Sequence, residues 1–232
     1  MELLIGTTLA GRYVVTKPLA RGGVSTVYRA TDAQEGRTLA IKVVDDLYAD
    51  LVQHEAAMTR LLRHPHVPKI FDVGRARTPR GDQVGYLALE LLGGHNLTRT
   101  LIHGPLPWRR ALRVAGTAAD VLAVAHRRGV VHRDLSPANV MLTPAGAKVV
   151  DFGLAEVIGC QTRPAEDVYA LGTLLLEMLT GRRRSPRSLG PVPVLPGLPP
   201  AVAELCRACL AKNPSSRPSA REASLHMWRL VG

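Results

Sequence analysis

The chain has 232 residues, 46% of them hydrophobic, which suffices for one large domain or two packed lobes and excludes a disordered tail. A formal net charge of +11 raises nucleic acid as a partner. Aromatic residues make up only 4% and the arginines fall in short runs at 109–110, 127–128 and 182–184, so the stacking platforms of single-strand binders are missing. A solvated arginine-rich surface, open to polyanionic ligands, is the reading adopted.

The N-terminal MELLIGTTLAGRYVV has an early Glu2, no basic leader and no long apolar stretch, so neither a secretory nor a transit signal is apparent and a cytoplasmic address is expected. From Arg12 to about Leu92 the pattern is strand-rich. YVVTKPLA, STVYRATD and RTLAIKVV are short, β-branched and separated by turn residues such as Asp32, Gly36 and Gly81, with one helix among them. Gly22 and Gly23 lie between Leu19 and Val27. Glycines at a tight strand turn let backbone amides approach an anion, and a plain hairpin explains the same residues equally well. Lys42, in TLAIKVV, shares a face with Ala40 by period-2 alternation, and a lysine among apolar neighbours needs an anionic partner. In DLVQHEAAMTRLLRH, Leu51, Glu55, Met58 and Leu62 recur at helical spacing, which sets Glu55 inside an apolar stripe. Two ill-placed charges of opposite sign predict one buried pair, the alternative being that each snorkels to water.

After residue 94 the pattern changes to long helical periods. PLPWRRALRVAGTAADVLAVAHRRG has apolar residues at 108, 111, 112, 115, 119, 122 and 125, and Gly129 is a natural C-terminal cap. VVHRDLSPANVML, at 130–142, then holds Asp134 and Asn139 in a polar loop between apolar flanks, and KVVDFGLA, at 148–155, delivers Asp151 after Val149 and Val150. Asn139 and Asp151 are hard oxygen donors suited to Mg²⁺, which binds through one or two carboxylates plus substrate phosphates. Asp134 is left to act as a base. The apolar run at 168–179 is shorter than the roughly 20 residues that span a bilayer and reads as a buried helix. RRRSPRSLGPVPVLPGLPP, at 182–200, reads as an extended loop. Cys206 and Cys209 form a lone CxxC whose small side chains read as the inner face of a helix rather than a metal site, and three cysteines agree with a reducing compartment.

The ordered set of Gly-rich turn, AIK, helix Glu, HRDLSPAN and DFG resembles the protein kinase family, in the style of bacterial Ser/Thr kinases, from Gly11 to about Trp228. YLALELLGGHNL resembles the family's hinge, DVYALG its buried central helix, and KNPSSRPSA the segment ending in a structural arginine, here Arg217. The resemblance implies an α+β bilobal fold in a single kinase domain over 1–232: a small antiparallel β lobe with one helix and the hinge at 12–92, and a larger, mainly α-helical lobe at 93–232. It implies ATP-dependent phosphoryl transfer to Ser/Thr hydroxyls of proteins, with ATP and Mg²⁺ (or Mn²⁺) as cofactors, while the short apolar run and the scattered arginines argue for neither a membrane nor nucleic acid as partner. Lys42 would contact the α- and β-phosphates and be held by Glu55. Asp151 would bind Mg²⁺ bridging the phosphates, Asn139 the second metal, and Asp134 would accept the substrate hydroxyl proton. Gly22 and Gly23 would form the phosphate turn, while Leu19, Val27 and Ala40 would cover the adenine. Leu89 would be the gatekeeper, the Glu90 carbonyl and Leu92 backbone would bond the base, and His132 would brace the catalytic loop.

The sequence departs from that pattern in three places. Ala20 and Ser25 replace the first and third glycines of the turn, and Ser136 replaces a lysine near the γ-phosphate. Between Gly153 and Asp167, where the central helix is expected to start, lie only LAEVIGCQTRPAE, with no APE triplet and with Thr162 as the sole hydroxyl. So short a segment is not expected to hold a regulatory phosphosite and a peptide platform together. Arg133 is then expected to lack a partner, and Arg217, without its usual glutamate, to pair with Glu156 or Glu166. These departures keep two alternatives in view: a nucleotide-binding pseudokinase with little transfer, and a small-molecule phosphotransferase.

Overall fold

β-Branched and aromatic residues recur at alternate positions from Tyr13 onward and build a six-stranded sheet. The computed structural model describes residues 3–157, 163–182 and 195–232, which fall into two units, one of residues 1–63 and 68–93 and one of 64–67 and 94–232. In the first unit β1 (Thr8–Leu9), β2 (Tyr13–Arg21), β3 (Ser25–Asp32), β4 (Thr38–Asp45), α1 (Ala49–Leu62), β5 (Ile70–Arg77) and β6 (Gln83–Leu89) follow in order. The sheet runs β1-β2-β3-β4-β6-β5 with all neighbours antiparallel.

Cross-strand partners share a face, so the register sorts the side chains. Tyr28 lies opposite Ile41 and Val43 opposite Tyr86, and these positions join Leu9, Tyr13, Val15 and Leu39 in a core on one face. Ala40, Lys42 and Val44 point the other way, with Val27 opposite Lys42 and Leu89 opposite Ala40. There Val44 and Leu87 pack with Val52 and Ala56 of α1. Helix α1 therefore covers the face that carries Lys42. Its buried side is Val52, Glu55, Ala56, Met58, Thr59 and Leu62. Leu51, expected in that stripe, is 46% exposed, although the 3.6-residue period sets it between the buried Met58 and Leu62. Gly85 makes the approach of α1 possible: a Cβ there would lie 2.7 Å from the Ala49 Cα.

The hairpin between β3 and β4 is tied by Asp32, whose side chain is fully buried. Its carboxylate accepts two hydrogen bonds of 2.8 Å from the Arg12 guanidinium and others from the amides of Gln34 and Glu35. A second carboxylate, Asp72, accepts hydrogen bonds of 2.9 Å from both the Tyr13 and Tyr86 hydroxyls. Burial, with that bond, pushes the Tyr86 hydroxyl up to about 12, so it stays protonated and donating at neutral pH.

In the second unit β7 (His95–Asn96), α2 (Leu97–Leu101), α3 (Trp108–Arg127), β8 (Val130–Val131), β9 (Val140–Thr143), β10 (Gly146–Val149), β11 (Glu156–Val157), α4 (Pro164–Thr180), α5 (Pro200–Cys209) and α6 (Ala220–Val231) follow in order. Helix α3 lies where the apolar spacing predicts, with Ala111, Leu112, Ala115, Ala119, Leu122 and Ala125 buried and Gly129 beyond it at φ +74°. Helix α4 begins at Pro164 rather than at Asp167, since a proline in the first turn gives up no needed N–H and has its φ preset. Cys206 and Cys209 are buried in α5, and a Cβ on Gly172 of α4 would lie 2.8 Å from the Cys209 Cβ. Burial pushes the Cys209 thiol up to about 12, so it packs as a small apolar group. Residues 64–67 join this unit through the Val149 amide, which donates to the His66 carbonyl at 2.8 Å, and the His66 ring, which bonds the Ala147 carbonyl at 2.8 Å. Of the loop expected at 182–200, residues 183–194 lie outside the described residues. Among the described residues, no helix is long and apolar enough to cross a membrane.

Two outcomes follow from this packing. Gly85→Val is expected to force α1 off the sheet and lower stability by about 1–3 kcal/mol, read by chemical denaturation, as overpacking does elsewhere. The Arg12 guanidinium holds the Asp32 carboxyl down to about 2 from an ordinary 3.8. The stability this pair adds is complete above pH 3.8 and drains as pH falls through about 2. Acid titration of Asp32→Asn is expected to show a flatter stability profile over that window.

Candidate functional site

The first unit contributes one ion pair. Lys42 Nζ donates to Glu55 Oε2 at 2.7 Å, with the side chains 15% and 6% exposed. Strand β4 is central in the sheet and α1 lies over its Lys42 face, so neither charge has an easy route to bulk water. The predicted pair forms and the snorkelling alternative does not. Val27, Ala40 and Leu89 share the Lys42 face by register. Leu19 stands on β2, 45% exposed, and β2 hands over to β3 through Gly22 and Gly23, where the Gly22 amide bonds the Ser25 carbonyl at 2.8 Å. At the end of β6 the Glu90 amide donates to the Lys69 carbonyl at 2.8 Å and its carboxylate accepts from the Lys69 amide at 3.1 Å. Residues 90–93, Leu92 among them, follow with no regular structure.

The second unit holds the carboxylate loop. Asn139 Nδ2 donates to both the backbone oxygen and Oδ2 of Asp134, each at 2.9 Å. The loop is fastened from α4: the Asp167 carboxylate, 1% exposed, accepts from the amides of His132 at 2.8 Å and Arg133 at 2.9 Å, and lies 2.8 Å from His126 Nε2. Arg133 takes φ +67°, a left-handed turn that aims the next residue, Asp134, away from the strand path. His132 is fully buried against Phe152, with ring centroids 4.5 Å apart, and the Asp134 amide donates to its Nδ1 at 3.3 Å. Burial pushes the His132 ring's pKa down, keeping it a neutral acceptor for that amide.

Asp151 follows β10 at φ +64°, and the Val150 amide donates to the Asn139 carbonyl at 2.9 Å, which sets the two oxygen-bearing residues on adjoining strands of backbone. The Asn139 amide nitrogen is spent on Asp134, so its oxygen is the atom left for a cation. One carboxylate and one amide oxygen fit Mg²⁺, an ion that completes its shell with water and substrate phosphates.

Two expectations fail here. Arg133 has a partner: its guanidinium pairs with the carboxylate of Glu156, which the antiparallel pairing of β11 with β8 brings alongside through the register Glu156↔Val131. Arg217 takes neither Glu156 nor Glu166. Its guanidinium donates to the carbonyls of Ala211 at 2.8 Å, Ala165 at 2.8 Å and Lys212 at 3.4 Å, and stacks 4.7 Å from the Tyr169 ring centroid. Five N–H donors in a planar fork suit several carbonyls as well as one carboxylate. Thr162 lies outside the described residues. Sequence reasoning missed Asp167 as the fastener. An acidic residue in the first turn of a strongly apolar helix was the available signal.

The sequence matches the protein kinase domain family over residues 13–163. It is 32% identical to the serine/threonine-protein kinase PknA of Mycobacterium tuberculosis, over 94% of this chain and 60% of that protein. It is 32% identical to PknB of the same species, over 90% of this chain and 41% of that protein, so the chain spans less than two thirds of the length of these relatives. The Mycobacterium tuberculosis PknI kinase domain (C20A mutant) superposes with a TM-score of 0.79 at 28% identity, covering 100% of both chains. The match over most of the chain, on this bilobal α+β arrangement, makes the chain a member of the protein kinase domain family.

Proposed function

We propose that this chain transfers the γ-phosphoryl group of ATP to Ser or Thr hydroxyls of protein substrates. The observation that carries the reading is the loop in which Asn139 holds the Asp134 carboxylate while Asp167 of α4 fastens the amides of the two residues before it. In this reading Asp134 accepts the hydroxyl proton, and Lys42, steadied by Glu55, engages the α- and β-phosphates. Asp151 and Asn139 would hold Mg²⁺, which would supply positive charge against the phosphates. Leu19, Val27, Ala40 and Leu89 flank the adenine, Gly22 and Gly23 cover the phosphates, and the backbone at Glu90 and Leu92 bonds the base. ATP and its metal come from the cytoplasm, and the named activity of the mycobacterial relatives favours a protein substrate. Ser136, which supplies no cation opposite the γ-phosphate, favours a second reading: a module that holds Mg-ATP with little turnover.

Labelled Mg-ATP and a generic basic protein separate the two. Asp134→Asn is expected to lower kcat by about 10²–10⁴-fold, the usual contribution of a general base, and Lys42→Met to weaken turnover and ATP binding together. Transfer that survives both changes overturns the assignment. Stabilisation by Mg-ATP without any transfer supports the holding module instead.

The Arg133–Glu156 pair gives this reading a mode of control. Arg133 already has an intrachain anion, so transfer is expected to be equally fast before and after phosphatase treatment. Both side chains are nearly half exposed, so the pair acts locally. Glu156→Arg or Arg133→Glu alone is expected to slow turnover about 2- to 5-fold, the range of an exposed pair, and the double reversal to recover it. A double variant no faster than the singles counts against that role.

A further inference from the structure

Charge is unevenly divided between the two units. Residues 64–67 and 94–232 hold 18 Lys and Arg against 9 Asp and Glu, a net of +9, whereas the other unit holds 12 against 10, a net of +2. Much of that excess lies on α3 and α6. These helices pack antiparallel, with Trp228 against Gly116 and Ser224 against Asp120. Arg109, Arg113 and Arg127 are exposed and fall on one side of α3, since 18 residues make five full turns. Arg110 and Arg128 flank them, and Arg221 and Arg229 are exposed on α6.

The two acidic residues of these helices, Asp120 and Glu222, offset only part of this charge, which comes from seven arginines once Arg128, just past α3, is counted. Asp120 turns both oxygens to α6, accepting from the Ser224 hydroxyl and, at 2.9 Å, from the Trp228 indole. Glu222 is folded back into the capping box with Ser219. Between Arg221 and Arg229, at spacings of four and seven residues from Arg221, α6 exposes Leu225 (48%) and Trp228 (41%). An apolar side chain and an interfacial aromatic set among arginines on one helical stripe is the pattern of a helix that lies on a charged bilayer surface. A nucleic acid would use the arginines and leave Leu225 unexplained.

We propose that the α3–α6 face docks on an anionic lipid bilayer surface, with the arginines against lipid phosphates and Leu225 and Trp228 at the headgroup boundary. This departs from the expectation of no membrane partner, which rested on hydropathy and concerned spanning segments. It stands independently of the phosphoryl-transfer reading. Basic side chains gain affinity additively near such a surface, and salt screens the gain.

The test is sedimentation of the full chain with phosphatidylcholine vesicles, with and without about 30 mol% phosphatidylglycerol, enough to give a negative surface potential. Binding is expected only with the anionic lipid and is expected to fall steeply with salt. Arg221→Glu combined with Arg229→Glu should weaken it about tenfold or more, and Leu225→Ser several-fold at unchanged charge. Thermal melting and phosphoryl transfer to the generic substrate are expected to stay at the parent values in these variants. If the glutamate pair does not fold, Arg221→Gln with Arg229→Gln carries the same test. No binding, equal binding to neutral vesicles, unaltered binding by the variants, or capture of soluble polyglutamate in place of vesicles would each overturn the proposal.

Discussion

The loop that carries Asp134 depends on one buried carboxylate. Asp167 sits in the first turn of α4, 1% exposed, where an unpaired charge would cost several kcal/mol in desolvation. It is stable there because donors converge on it: two consecutive loop amides, the His126 ring, and the positive end of its own helix. Those amides belong to His132 and Arg133, so satisfying Asp167 fixes the backbone immediately before Asp134. The left-handed turn at Arg133 is maintained by this clamp, and Asn139 then fixes the carboxylate itself. The apolar packing of α4 and the orientation of a polar side chain three residues beyond β8 are thus one constraint.

The sheet solves a different problem with parity. A lysine in a central strand must face one side or the other, and the register gives Lys42 the side covered by α1. Glu55 occurs on that helix at a position that would otherwise be apolar, and Gly85 removes the side chain that would hold the helix away. Neither charge is tolerable without the other in such surroundings. The pair therefore sets the height of α1 above the sheet.

Much of this was legible from residue order. Period-2 alternation around Ile41 and helical spacing around Glu55 predicted the ion pair without coordinates, and the apolar positions of α3 predicted its buried face. What escaped was whatever depends on a residue distant in sequence. Asp167 meets His132 and Arg133 across 34 or 35 positions, and Tyr13 meets Asp72 across 59. The Arg133 partner was missed for a related reason: two-residue strands such as β8 and β11 leave no periodic signal, yet their register decides which side chain lies beside Arg133.

The shortened segment before α4 removes an acidic anchor without loosening what that anchor would hold. Arg217 donates to the Ala165 carbonyl in the first turn of α4, to Ala211 and Lys212 just past α5, and stacks on Tyr169 one turn further along. A guanidinium keeps its charge in any such setting and can divide its donors among several carbonyls. The residue thereby secures the same helix terminus from which Asp167 reaches the loop. One end of α4 is held by a cation from below and holds the loop by an anion, so the loop's geometry survives the loss of the carboxylate that sequence pattern alone would have demanded.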